Sequence, residues 1–254
     1  MELFAPEAIP RLREALTDFS MLLTKGYGNK SALKLVGDRF SLTQRQRLAV
    51  MRAACSDQQL KSRLEHCVSI EALAGRPIAI DGYNLLITIE AAMSGGLLFR
   101  GRDGCLRDLA SIHGTYRKVE ETIPAVKLIG GFLSEIHVGQ VLWLFDSPVS
   151  NSGRLKTLLA EVAHDHAWPW EIRLTISPDA ELKSLPVGWG SPHQSGPTDE
   201  PRWGKPHPTS WDDQPPVVVS TDSVILDACH KWTNLAAEIV THRLPSTIII
   251  IDLA

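Results

Sequence analysis

The sequence predicts an α/β fold, a mostly parallel sheet with helices on both faces, preceded by a small all-α domain. Three observations carry this expectation. The runs IAID, VLWLFD and VVVSTD lack the alternation of a half-exposed strand, as strands covered on both faces do. Helix-length amphipathic segments separate them, which is the rhythm of a sheet with crossover helices. Before residue 76, in contrast, only helical periodicity is visible. The chain therefore divides into a helical part, residues 1–75, and an α/β part, residues 76–254.

In the first part, Ile9, Leu12, Leu16, Phe19 and Leu23 recur at helical spacing over residues 7–23, and residues 41–54 and 58–68 read as two further helices. Ser41 is the expected N-cap of the second, with Gln44 completing a capping box. Between them TKGYGNKSALKLVGDRF is a basic, glycine-punctuated segment with one short helix. From Arg76-Pro77 onward the pattern changes. IAIDGYNLLITIEAAM opens a strand that turns at Gly82 into a short element, and GRDGCLRDLASIHGTY reads as a loop followed by a helix. VEETIPAVKLIGGFLSEI is a helix, VGQVLWLFDSP a second strand and SGRLKTLLAEVAHDH another helix. WEIRLTI is a third strand, PVVVSTDSVILDA a fourth that passes into a helix over residues 223–241, and STIIIIDLA a fifth. Residues 185–216, dense in Pro, Gly and Trp, form an expected long exposed insertion. Its Trp189, Trp203 and Trp211 either stack on a base or pack locally.

Composition narrows the function classes. With 254 residues, 44% apolar and 22% charged, the chain has the make-up of a soluble globular protein. Acids and a proline precede any apolar run, and no stretch approaches the roughly 18 apolar residues of a membrane span. No secretory signal and no membrane partner are expected. Cys55, Cys67, Cys105 and Cys229 lie far apart with no CxxC pair, which argues against a zinc site or disulfide framework and fits a cytoplasmic protein. The net charge of −3 conceals a division: residues 1–77 hold 12 Lys/Arg against 8 Asp/Glu, and residues 78–254 hold 14 against 21. Across residues 22–52, Lys25, Lys30, Lys34, Arg39, Arg45, Arg47 and Arg52 face only Asp38. Such a basic stretch favours an anionic partner.

Three apolar strands each finish on an aspartate: Asp81, Asp146 and Asp222. In a parallel sheet the carboxyl ends of the strands share one edge, where ligands bind. Carboxylates gathered there raise each other's pKa unless a cation sits among them, and an all-oxygen donor set selects Mg²⁺ or Mn²⁺. Such an ion activates water and polarises phosphoryl oxygens, so phosphodiester hydrolysis is the expected reaction. Asn84, three residues past Asp81, is placed to orient water or a phosphate. The competing reading is that Asp81 and Asp222 cap the helices that follow them. Ser150, Ser152 and Arg154 at a helix entrance are candidate phosphate ligands, unless the serines simply cap. Asp103 and Arg107 have the spacing of a helical ion pair, and Asp227 reads as a solvated position.

At IDGYN (residues 80–84), FD (145–146) and STD (220–222) the sequence resembles the NYN branch of the PIN-like nuclease superfamily. The resemblance implies a parallel sheet with helices on both faces, and acids that bind divalent metal for RNA cleavage. It makes Asp81, Asn84, Asp146 and Asp222 the expected site, and it calls for a further acid from a helix, for which Asp103 and Asp108 are the candidates. TKGYGNKSALKLVGDRFSLTQRQR and DGCLRDLASIHGTYRK also resemble an uncharacterised prokaryotic family in which a small helical domain of unknown function precedes the PIN-like domain.

The expectation is thus a metal-dependent ribonuclease. Lys25, Lys30, Lys34, Arg45 and Arg47 of the helical part, with Arg107, Ser150, Ser152 and Arg154, would hold RNA through its phosphates. Asp81, Asp146 and Asp222 would hold the metal. A non-catalytic RNA- or protein-binding module on the same fold is the alternative. A phosphohydrolase of the haloacid dehalogenase kind is disfavoured, because Tyr83 stands where that chemistry needs a second acid. Nothing in the sequence selects RNA over DNA by a contact to a 2′-hydroxyl, and nothing sets the oligomeric state.

Overall fold

The computed structural model describes residues 2–109, 119–188 and 215–254. Four helices open it: α1 (Ile9–Thr24), α2 (Asn29–Arg39), α3 (Gln44–Ala53) and α4 (Asp57–His66). Thr43 and Gln46 form the capping box of α3, and Ser56 and Gln59 that of α4. The box lies two residues beyond the expected Ser41, for a conformational reason. An N-cap needs an extended backbone, which Thr43 has (φ −64°, ψ 164°), whereas Ser41 is left-handed at φ 48°.

The α/β part follows as β1 (Ile78–Asp81), α5 (Gly82–Met93), β2 (Leu98–Arg100), β3 (Leu106–Arg107), α6 (Thr122–Glu135), β4 (Val141–Asp146), α7 (Ser152–Asp165), β5 (Trp170–Thr175), α8 (Pro178–Gly188), β6 (Val217–Val219), α9 (Ser223–Leu226), β7 (Trp232–Thr233), α10 (Leu235–Arg243) and β8 (Ile250–Asp252). Five strands make one all-parallel sheet in the order β5-β4-β1-β6-β7. Side chains alternate across it as the two-residue period of a strand requires. Ile78, Ile80, Trp143, Phe145, Val217 and Val219 face α5, α6, α7 and α10. Ala79, Leu142, Leu144 and Val218 face α8, α9 and Trp232.

Three expectations need correction. STIIIIDLA contributes β8, which joins β2 in a separate small sheet with β3, not the main one. The fifth strand of the main sheet is instead β7, inside the stretch expected to be one helix over residues 223–241. That helix breaks after Leu226 because Trp232 is drawn to the α4 end: its indole N–H donates to the Arg63 carbonyl at 2.8 Å, and the Val68 N–H donates to the Trp232 carbonyl at 2.7 Å. Finally, residues 178–188 form α8, which covers the start of the expected insertion. The rest of that insertion, with Trp189, Trp203 and Trp211, and the helix expected after DGCLRDLA fall outside the described residues.

The helical segment does not stand apart. Its core of Leu12, Leu16, Phe19, Val36, Ala49 and Val50 continues into Phe99, Ile251 and Leu253 of the small sheet. This packing sets α4 beside the carboxyl edge of the main sheet, next to the strand-end acids.

Candidate functional site: an aspartate cluster at the sheet edge

Strand β1 lies between β4 and β6, with Asp81 in register with Leu144. Asp81 therefore ends the central strand, Asp146 ends its neighbour two residues further along, and Asp222 follows β6 on the other side. The capping alternative separates the two residues it was offered for. Asp222 does cap α9, accepting from the Val224 N–H at 2.8 Å and the Ile225 N–H at 3.3 Å. Asp81 makes no side-chain cap to α5; it is buried, and Ser220 Oγ donates to its Oδ2 at 2.8 Å. Gly82 allows this tight turn, since a Cβ there would stand 2.4 Å from the Phe145 ring.

A fourth acid joins them. Asp179, in the first turn of α8, lines the same cleft as Asp81 and Asp222. Burial pushes the Asp81 carboxyl up to about 7; the Ser220 hydrogen bond opposes this, while Asp179 and Asp222 add to it. Burial and then Asp179 raise Asp146. Asp179 is raised by burial and by Asp222, against Lys183. Burial is the larger cause for all three, and each also feels another acid, as like charges gathered together do. Among the described residues, however, no three carboxylate, His or Cys side chains are grouped closely enough to hold a metal by themselves. Mg²⁺ usually keeps several waters and takes only one or two carboxylates. The oxygen-only donor set thus fits a hydrated divalent cation rather than one enclosed by protein.

The cleft, about 510 Å³, runs between the acids and the helical segment. Asp81, Asn84, Asp179, Thr221 and Asp222 line one side; Leu23, Asn29, Met51, Arg52 and Gln59 line the other. Asn84 faces this cleft, but its side-chain carbonyl accepts from Thr221 N at 2.8 Å and Thr221 Oγ1 at 3.0 Å. It braces the end of β6 against α5, and its amide nitrogen is the part left for a ligand.

The other sequence candidates are placed differently. Asp103 and Arg107 are neither helical nor on the surface. Asp103 lies in the turn before β3 and Arg107 in β3 itself, where Arg107 grips both oxygens of Asp103 at 2.9 and 2.7 Å and Arg63 adds a third bond at 2.6 Å. Burial would raise the Asp103 carboxyl, but Arg107 and Arg63 hold it at about 2. Asp103 is therefore committed to two arginines and is no metal ligand. Asp108 lines the cleft, yet its carboxylate stands 3.7 Å from Arg52 and accepts from Thr88 Oγ1 at 3.4 Å. Asp227 is exposed, as expected, but it is also paired, accepting from Arg63 and Gln59 at 2.7 and 2.6 Å.

Ser150 and Arg154 are exposed, and Ser152 Oγ turns inward to donate to the Ser147 carbonyl at 3.3 Å. Lys25, Lys30 and Arg45 are exposed, whereas Lys34 and Arg47 both close on Asp38 at 2.7 and 2.8 Å. None of these eight residues lines the cleft. Of the seven cations in the basic stretch, Arg52 does. Arg52 entered the sequence analysis only as one cation of that stretch, and neither Arg63 nor Asp179 was singled out there. For Asp179 a signal existed: it follows WEIRLTISP as the other acids follow their strands.

Residues 11–66 match a family model described as Protein of unknown function (DUF434), and residues 70–188 match one described as Domain of unknown function (DUF5616). The chain is 29% identical over 176 residues to Uncharacterized protein MJ0935 of Methanocaldococcus jannaschii, which covers 69% of this chain and 84% of that protein. No solved structure matches.

Proposed function

We propose that the protein is a metal-dependent ribonuclease of the PIN-like, NYN kind, hydrolysing RNA phosphodiester bonds at the sheet edge. One observation carries this reading. Four aspartates from separate elements lie along the carboxyl edge of a parallel sheet, Asp81, Asp179 and Asp222 lining the cleft and Asp146 ending the neighbouring strand, and burial together with a neighbouring acid raises Asp81, Asp146 and Asp179. A bound Mg²⁺ or Mn²⁺ would supply an activated water and polarise a phosphoryl oxygen. The chain's own groups do the rest. Asp81, held by Ser220, would serve as a ligand in its deprotonated form. Asp222 is oriented by the first turn of α9, and Asp146, half-buried at its strand end, is suited to take a proton from the attacking water. Arg52 presents a guanidinium across the cleft, where the sugar-phosphate backbone would pass. The exposed Lys25, Lys30 and Arg45 add salt-dependent affinity for a polyanion. A cytoplasmic location belongs to the same reading.

The test is a cleavage assay on a mixed pool of structured and single-stranded RNA, with matched DNA in parallel, in Mn²⁺ or in EDTA. Wild type is expected to cut RNA only in Mn²⁺, and Asp146→Asn to cut at least 100-fold more slowly, the order of loss when a group acting on the transition state is removed. If neither protein cuts, but both shift RNA equally in EDTA, the fold serves as a non-catalytic binding module.

A further inference from the structure

Arg63 belongs to the helical segment, yet its side chain is 1% exposed and reaches into the α/β part. Its Nη1 donates to Asp103 at 2.6 Å, its Nε to Asp227 at 2.7 Å and its Nη2 to the Ser223 carbonyl at 3.3 Å. Asp103 in turn grips Arg107, whose Nε donates to the Thr221 carbonyl at 2.7 Å. The two arginines thus hold the backbone carbonyls on either side of Asp222. The intervening amides are fixed as well: Thr221 N–H donates to Asn84 at 2.8 Å, and Asp222 N–H to Ser220 Oγ at 3.0 Å. Gln59, one turn before Arg63 on α4, adds a bond to Asp227 at 2.6 Å.

Charges held this far from water add little net stability over an apolar packing of the same volume. What such a network does fix is geometry, as the partners behind metal ligands do in known sites. We infer that Arg63 is a positioning residue of the acid site, so that the helical segment sets where the Asp222 carboxylate stands. Arg63 does not touch that carboxylate; it acts through the Ser223 carbonyl and Asp227. The α/β part by itself would then carry the four aspartates but leave Asp222 loosely placed. This inference rests on the reading of the acids as a cation site.

The test is Mn²⁺ binding to the full chain, read by water-proton relaxation, with Tm measured alongside. Arg63→Lys keeps a charge for Asp103, but one ammonium cannot reach Asp103, Asp227 and Ser223 together. Its Mn²⁺ affinity is expected to fall about 10- to 100-fold. Asp227→Asn, which alters the partly exposed end of the network, is expected to lose affinity in the same direction and decides the matter if Arg63→Lys fails to fold. Gln46→Ala removes a cap in the helical segment away from the cleft; it is expected to lower Tm and leave Mn²⁺ affinity unchanged. Wild-type affinity in folded Arg63→Lys and Asp227→Asn would overturn the inference alone, as would a loss in Gln46→Ala matching theirs. Absence of Mn²⁺ binding in wild type would overturn the reading of the acids, and the inference with it.

Discussion

Replacing Asp81 by Asn should make the metal-free protein more stable at alkaline pH, and the size of the effect follows from its surroundings. Burial, with Asp179 and Asp222 adding to it, lifts the Asp81 carboxyl from 3.8 to about 7. Between those values the native chain keeps a proton that the unfolded chain has lost, so wild-type stability falls as pH rises through the window and stays low above it. The gap of about three units corresponds to a destabilisation on the order of 4 kcal/mol. Asn carries no charge, and its side-chain carbonyl can still accept the Ser220 hydroxyl. In EDTA, urea unfolding should therefore place Asp81→Asn above wild type at pH 8, by up to that amount, with the margin shrinking towards zero near pH 4. Excess Mn²⁺ should reverse the order, because wild type gains stability logarithmically with the ion while the variant loses a ligand. A margin that does not change with pH, or an Asp81→Asn protein less stable than wild type in EDTA at pH 8, would refute the reasoning.

Three further outcomes follow from the same geometry. Asp103→Ala leaves Arg63 and Arg107 as uncompensated buried charges, and denaturant titration should show a loss of about 3–5 kcal/mol. Asn84→Ala orphans the Thr221 amide and hydroxyl; a loss of about 1–3 kcal/mol should come with weaker Mn²⁺ binding, measured by calorimetry. Gly82→Ala drives a methyl into the Phe145 ring, an overpacking expected to lower stability by about 1–3 kcal/mol and to reduce cleavage by displacing Asp81.

The main sheet was legible because its central strands are apolar on both faces. IAID and VLWLFD could hardly be anything else, and their terminal acids stood out against that background. Strand β7 was hidden for the opposite reason: two residues carry no period, and Trp232 is held there by bonds to α4 that no local pattern encodes. Asp179 was obscured by its strand, since WEIRLT is only partly buried along its length and so lacks the contrast that flagged the other acids. The basic stretch misled in a different way. Counting Lys34 and Arg47 as free cations ignored that both reach the same acid, Asp38. Nothing in the period of α4 marks Arg63 as buried, because the groups that draw it inward, Asp103, Asp227 and the Ser223 carbonyl, lie far along the chain.

The central claim is that the aspartates at the sheet edge bind a hydrated divalent cation, and a crystal soaked in Mn²⁺ tests it most directly through anomalous scattering at the manganese edge. The account predicts an anomalous peak within coordination distance of at least one carboxylate of Asp81, Asp146, Asp179 and Asp222, with waters completing its shell. Ordered side chains and no peak at saturating Mn²⁺ would contradict it.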